Sequence, residues 1–234
     1  MREKVTAIIL AAGQGKRMKS NIQKQYISLG NKPIIVYALS TFSKCKEIDE
    51  IVVVVSPGDI NYFKKEIIDK YNIEKVVTIV EGGKERYHSV YNALKYIDGN
   101  NNGYVLIHDG ARPFVRKEEI KKCITSVKEY KACVLGVPSK DTIKKVEKEG
   151  FIEGTVDRKN LWLIQTPQGF SFELIKEAYV KFFEDSNTNI TDDAMIVENY
   201  SDKKVKIVEG SYNNIKITTP EDLIFGEAIL KHYI

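Results

Sequence analysis

A chain of 234 residues with 43% hydrophobic and 29% charged residues has ordinary globular composition and can bury one sizeable core. Its 36 Lys and Arg against 32 Asp and Glu leave a net charge of +4, too small and too interspersed for a nucleic-acid surface. No apolar run approaches the roughly 20 residues of a membrane span. No signal peptide precedes the first apolar run, and Cys45, Cys123 and Cys133 show neither metal spacing nor a C-x-x-C pair, so a cytoplasmic protein with buried thiols is expected.

The first element is "VTAIIL" (5–10), a β-branched stretch that reads as a strand buried on both faces. The loop "LAAGQGKRM" (10–18) follows it. Ala11, Ala12, Gly13 and Gly15 strip this loop of bulk, so backbone N–H groups can approach a ligand, and Lys16 and Arg17 add positive charge. Further strands are expected at "EIVVVVS" (50–56), "VVTIVEG" (76–82), "YVLIHDG" (104–110) and "ACVLGVP" (132–138), on their Val and Ile content. Between them "NYFKKEIIDKY", "ERYHSVYNALKYI" and "RKEEIKKCITSVKEY" space apolar residues three and four apart, as helices do. This alternation predicts an α/β fold: a Rossmann-like, mostly parallel sheet with helices on both faces. Ligands bind such sheets beyond the carboxyl ends of the strands, where the opening loop, "SPGD", "EGGKER" and "HDGARP" all fall.

"KDTIKKVEKEGFIEGTVDRKNLW" (140–162) breaks the rhythm. It alternates apolar and charged residues around "KEG" and reads as a solvated, protruding β-hairpin arm. An isolated hairpin is marginal in water, so the arm is expected to lean on another subunit, the alternative being a surface flap on its own chain. "FSFELIKEAYVKFFED" and "TPEDLIFGEAILKHY" then read as helices, the second with Thr219 as N-cap and Pro220 at its first position. No repeat or low-complexity linker divides the chain, which predicts a single domain over 1–234 with the arm at about 139–159.

Two glycine motifs can be set aside. The G-x-x-x-x-G-K-[ST] P-loop is absent, and Met18 stands where the third glycine of a dinucleotide fingerprint belongs. The two cations suit a triphosphate better than a dinucleotide pyrophosphate. In "EGGKERYHS" (81–89), Gly82 and Gly83 free the backbone to read the edge of a base, and Ser89 offers a hydroxyl. Arg86 reads either as an anion contact or as an exposed helix charge. Asp109 closes a strand where a carboxylate can meet a divalent cation or ribose hydroxyls. His108, without a second histidine or cysteine beside it, reads as a satisfied core residue, and a zinc site is not expected.

"LAAGQGKRM" followed by "KQY" (24–26) resembles the signature loop of the glycosyltransferase-A-like nucleotidyltransferases. With "HDGARPFV", "TVDRKNLWLIQTPQGF", "TDDAMIVE" and "NIKITTPEDL", nearly the whole chain resembles the 2-C-methyl-D-erythritol 4-phosphate cytidylyltransferases. That family transfers CMP from CTP to the polyol phosphate and releases pyrophosphate, with magnesium on the triphosphate. The resemblance implies Arg17 and Lys24 as the clamp on the transition state. It also implies Ala11, Ala12, Gly13, Gly15, Gly82, Arg86, Ser89, Asp109 and Gly110 around the nucleotide, and Asp109 near the metal. Arg112, Thr142, Thr166, Thr191, Arg158 and Lys216 would hold the polyol phosphate, with Arg158 acting across a homodimer joined by the arm. Gly110 replaces an alanine common in the family, read as a harmless contraction, and the role of Lys84 is in doubt. The rivals are a ribitol-5-phosphate cytidylyltransferase, a nucleotide-binding protein without catalysis, which would be expected to lose Arg17, Lys24 or Asp109, and a Rossmann oxidoreductase.

Overall fold

The computed structural model describes residues 3–13, 18, 23–97, 103–185 and 189–233. Strand β1 (Val5–Ala11) is followed, beyond a 3-10 turn at Lys24–Tyr26, by a small ribbon of β2 (Ser28–Leu29) and β3 (Lys32–Pro33), and then by α1 (Ile34–Ser43). Next come β4 (Glu50–Val55), α2 (Ile60–Phe63) widening into a π-helical segment Lys64–Asp69, β5 (Val76–Glu81) and α3 (Arg86–Ile97). After β6 (Tyr104–Asp109) and α4 (Lys117–Tyr130), β7 (Ala132–Pro138) leads to the hairpin β8 (Ile143–Val146) and β9 (Ile152–Val156). The chain closes with β10 (Trp162–Ser171), α5 (Phe172–Glu184), α6 (Asp193–Tyr200), β11 (Lys206–Glu209) and α7 (Pro220–Tyr233).

Seven strands form one sheet in the order β11-β7-β10-β6-β1-β4-β5. Only β10 runs antiparallel to its neighbours, β6 and β7. The expected mostly parallel α/β sheet is therefore what forms, with β6 at its middle and β1 beside it. Side chains alternate across a strand. Val5, Ala7, Ile9 and Ala11 thus pack on one face with Ile35, Leu39 and Phe42 of α1 and Ile120 and Val127 of α4. Ile8 packs on the other face with Val90 and Leu94 of α3 and Phe172, Ile175 and Tyr179 of α5. Met18, Leu29, Ile34, Phe114 and Ile217 make a smaller cluster against α7.

Three departures have physical reasons. Strand β10 lacks a hydrophobic signature because three of its six buried residues, Gln165, Thr166 and Gln168, are polar and a bulge interrupts its register against β7 between Ile164 and Gln168. Helix α6 is short and starts with two acids, Asp192 capping it by accepting from the Met195 N–H at 3.0 Å. Cys123 and Cys133, ten residues apart, end with thiol sulfurs 3.5 Å apart because α4 packs on β7. All three cysteines are buried and free, as expected. The Thr219 cap also forms: Asp222 N–H donates to Thr219 Oγ1 at 3.4 Å, and Asp222 Oδ2 accepts from Thr219 N–H at 2.9 Å.

The hairpin β8–β9 pairs with no strand of the seven-stranded sheet. Val146, Phe151 and Ile152 stand 56%, 72% and 63% exposed on it. No helix among the described residues is long and apolar enough to cross a membrane.

Candidate active site

The carboxyl ends of β1, β4, β5 and β6 frame a cleft of about 880 Å³. Its walls include Ala12, Gly13, Lys24, Ser56, Gly82, Arg86, Ser89, Asp109 and Lys216. The loops can close on one another because the glycines omit a side chain: a methyl on Gly82 would fall 2.5 Å from Ala12 Cβ and 2.8 Å from Ser89 Oγ. Lys24 lies across Gly13, where a methyl would sit 3.2 Å from Lys24 Cε. Ser89 spends its hydroxyl on the loop itself, accepting from Gly83 N–H at 3.1 Å and donating to Glu85 O at 3.3 Å. It therefore shapes the turn 82–85 whose backbone faces the cleft.

Charge is organised around Asp109. Its Oδ1 accepts from Arg86 Nε at 3.2 Å and its Oδ2 from Lys216 Nζ at 2.6 Å. Burial opposes ionisation of Asp109, yet Arg86 and Lys216 outweigh it and hold this carboxyl well below the usual carboxylate range. Arg86 in turn gives Nη1 and Nη2 to Asp193 at 2.9 and 2.7 Å, and Tyr179 donates its O–H to Asp193 at 2.6 Å. Burial disfavours the Arg86 charge, but Asp193 and Asp109 more than restore it. The two readings of Arg86 are thus resolved: it is a cleft residue with two carboxylate partners.

Asp193 is fully buried, and sequence reasoning missed it. The signal was present in "TDDA", where a second acid follows the helix cap at the positive end of α6. Gln168 was missed too; its Oε1 accepts from Asp193 and Ala194 N–H, both at 3.1 Å. Asn214 is buried as well, donating to Thr166 O at 2.9 Å while its own carbonyl accepts from Arg112 Nη1 at 2.7 Å.

Other expected residues fall elsewhere. Ala11 and Gly110 are buried behind the cleft wall. Thr166 is buried under Asp109, accepting from its N–H at 3.0 Å. Thr191 is exposed just before α6, with Oγ1 3.6 Å from Met195 Sδ. Thr142 and Arg158 are exposed at the base of the arm, where Arg158 donates to Lys140 O at 2.9 Å, and neither lines the cleft of its own chain. Gly15 and Arg17 lie outside the described residues. Lys84 is an exposed residue of the cleft rim.

The neighbours of Gly110 have closed on the place where an alanine methyl would stand. A methyl there would fall 2.3 Å from Ile35 Cδ1 and 2.8 Å from Leu10 O, so the space is already filled. Gly110→Ala is expected to cost about 1–3 kcal/mol by overpacking. Thermal melts would show a Tm lowered by roughly 2–4 °C for each kcal/mol. Ile35→Val, which deletes the offending Cδ1, should recover part of that loss; an unchanged Tm in Gly110→Ala would contradict the contact.

A family model described as IspD, 2-C-methyl-D-erythritol 4-phosphate cytidylyltransferase, matches residues 5–232. The chain belongs to this cytidylyltransferase family. It is 50% identical to the enzyme of that description from Lachnoclostridium phytofermentans over 231 residues, covering 99% of this chain and 98% of the relative. It is 51% identical to the one from Clostridium kluyveri over 225 residues, covering 96% of each. Among solved structures, the 4-diphosphocytidyl-2C-methyl-D-erythritol synthase of Anaerococcus prevotii superposes with a TM-score of 0.86 at 38% identity, covering 98% of this chain and 96% of that one. Membership makes the chain a nucleotidyltransferase of isoprenoid synthesis, and it does not favour the ribitol 5-phosphate alternative.

Proposed function

We propose that the cleft transfers CMP from CTP to 2-C-methyl-D-erythritol 4-phosphate. The observation that carries this reading is the ionised Asp109, held between Arg86 and Lys216, at the floor of a glycine-walled cleft. A phosphomonoester oxygen attacks the α-phosphorus of CTP, a P–O bond forms, and the bond to the β-phosphate breaks with pyrophosphate leaving. A phosphomonoester is already an adequate nucleophile at neutral pH, so the chemistry demands no general base. What opposes it is repulsion between anions and charge growth at the α-phosphorus, which fixed cations relieve. Lys24 supplies a point charge and Arg17 a forked donor for the triphosphate. Lys216 and Arg112 face the polyol phosphate.

Asp109 fits a magnesium ion: it is ionised and lines the cleft, and a second charged oxygen source would come with the nucleotide. Among the described residues there is no cluster of three or more His, Cys, Asp or Glu, so triphosphate oxygens and water would complete the coordination. Bound there with CTP, the ion would neutralise triphosphate charge. The exposed apolar residues of the arm support a homodimer, in which Arg158 and Thr142 would serve the partner's cleft. Three free buried thiols agree with a reducing cytoplasm.

Pyrophosphate release from CTP, measured with methylerythritol phosphate and with ribitol 5-phosphate, tests the reading. Release with the first alone is expected, and preference for ribitol 5-phosphate would overturn it. Nucleotide choice follows from the backbone of 82–85. CTP should exceed ATP and GTP strongly in kcat/KM, with UTP the best of the wrong nucleotides, because a polar edge matched to one base leaves buried groups unpaired with another. Comparable kcat/KM for ATP and CTP would remove the base-reading role of this loop.

A further inference from the structure

Asp59 closes the loop "SPGD" after β4, at the position before α2 where a carboxylate commonly accepts from the helix's own N–H groups. Among the described residues it makes no such bond, and its Oδ2 serves a different element. That oxygen accepts from Gln23 Nε2 at 2.8 Å and from the Tyr26 O–H at 3.2 Å. Gln23 stands just before the turn Lys24–Tyr26, and Tyr26 ends it. The orientation of the Gln23 amide is forced. A carboxylate oxygen accepts, so the amide turns its NH2 to Asp59 and leaves its oxygen for the Ser56 hydroxyl, at 2.9 Å, and for the side-chain amide of Gln25. Ser56 and Asp59 belong to the same loop, which thereby holds both ends of the Gln23 amide. The backbone closes the turn, with Tyr26 N–H donating to Gln23 O at 2.9 Å, and the Tyr26 ring packs edge-on against Tyr62 of α2 at a centroid distance of 5.2 Å.

We infer that Asp59 is a positioning residue for Lys24, holding both ends of its turn so that the ammonium stays across Gly13 at the cleft wall. The inference rests on the cleft being the cytidylyltransfer site, with Lys24 in its clamp. A lysine carries a point charge on a flexible four-carbon stem, so the fold fixes it best through the backbone that bears it. Asp59 fixes that backbone with two bonds to one oxygen, and does not itself line the cleft. Without those bonds the sheet keeps its core, but the turn is released and the ammonium can leave the triphosphate.

The first test needs no substrate. Acetylation of the enzyme by an N-hydroxysuccinimide ester, followed lysine by lysine in peptide mass spectra, reports how each amine is held. In Asp59→Ala the Lys24 amine should react several-fold faster than in the unaltered enzyme. Lys75, whose Nζ donates to Cys45 O at 2.7 Å and to Ile48 O at 2.9 Å, should not change. An unchanged Lys24 rate, or an equal rise at Lys75 from general loosening, would overturn the inference. The second test is kinetic. Asp59→Ala should lower kcat about ten-fold, the size of a hydrogen bond to a charged group, with KM for the polyol phosphate unchanged. Asp59→Asn can put its amide oxygen where Oδ2 stands, so it should recover most of the loss. Added to Lys24→Ala, Asp59→Ala should cost little more, because residues that act through one another are not additive. Losses that multiply in the double variant would mean that Asp59 acts by another route, and would overturn the inference. No pyrophosphate release by the unaltered enzyme would bring down the cytidylyltransfer reading instead, and the acetylation rates would still decide the place of Asp59.

Discussion

Lys24→Ala is expected to lower kcat by about 10²–10³-fold, the loss typical of removing one preorganised donor to a transition-state oxygen. The reason is positional. Lys24 opens the short turn Lys24–Tyr26, and its side chain crosses Gly13 into the cleft wall. The turn is anchored from below by buried Gln25 and by Tyr26, which donates its O–H to Asp59 at 3.2 Å. The ammonium is therefore presented by a fixed backbone. Arg17→Ala, on the strength of the resemblance, should cost a similar factor. Steady-state pyrophosphate release at saturating CTP measures both, and thermal melts should show little change. A near-normal kcat in either variant would take that residue out of the clamp.

The second large effect is a recovery of activity. If Arg158 serves the partner's cleft, each site of a two-fold dimer combines Arg17 of one chain with Arg158 of the other. Arg17→Ala and Arg158→Ala homodimers should each be nearly inactive. Unfolded together and refolded in equal amounts, about half of the dimers become mixed by random pairing. In a mixed dimer one site inherits both lesions and the other neither, so activity should return to roughly a quarter of wild type. The exposure of Arg158 at the arm's base, outside the cleft of its own chain, agrees with this arrangement. If Arg158 acted in its own chain every site would keep one lesion. Mixed dimers confirmed by mass but without activity would therefore refute action across the dimer.

The parts of this protein that could be read from its sequence are those where one local pattern dictates one structure. Val and Ile runs give β1, β4, β6 and β7, because a strand buried on both faces needs only continuous apolar residues, and the same content gives β5 at the half-buried edge of the sheet. The glycine loops fall at the carboxyl ends because that is where α/β connections open. Asp109 and Gly82 were legible for that reason and Lys24 through the resemblance, and each lines the cleft. Strand β10 was not legible, since Gln165, Thr166 and Gln168 among its buried residues are polar and are satisfied by contacts distant in sequence, such as Gln165 Nε2 to Ser211 O at 2.8 Å.

Sequence alone determined the fold class, the end of the sheet that carries the site, the cations and carboxylate available there, and through its motifs the family. All of these depend on local periodicity or on short runs of residues. Tertiary structure decided which charges meet. Asp193 reaches Arg86 across 107 residues, Lys216 reaches Asp109 from the segment before α7, and Thr166 reaches His108 across 58. It also decided that Gly110 has no room for a methyl and that Ser89 spends its hydroxyl on its own turn. Such pairings depend on burial and on the directions of single hydrogen bonds, which arise only when distant strands are brought side by side.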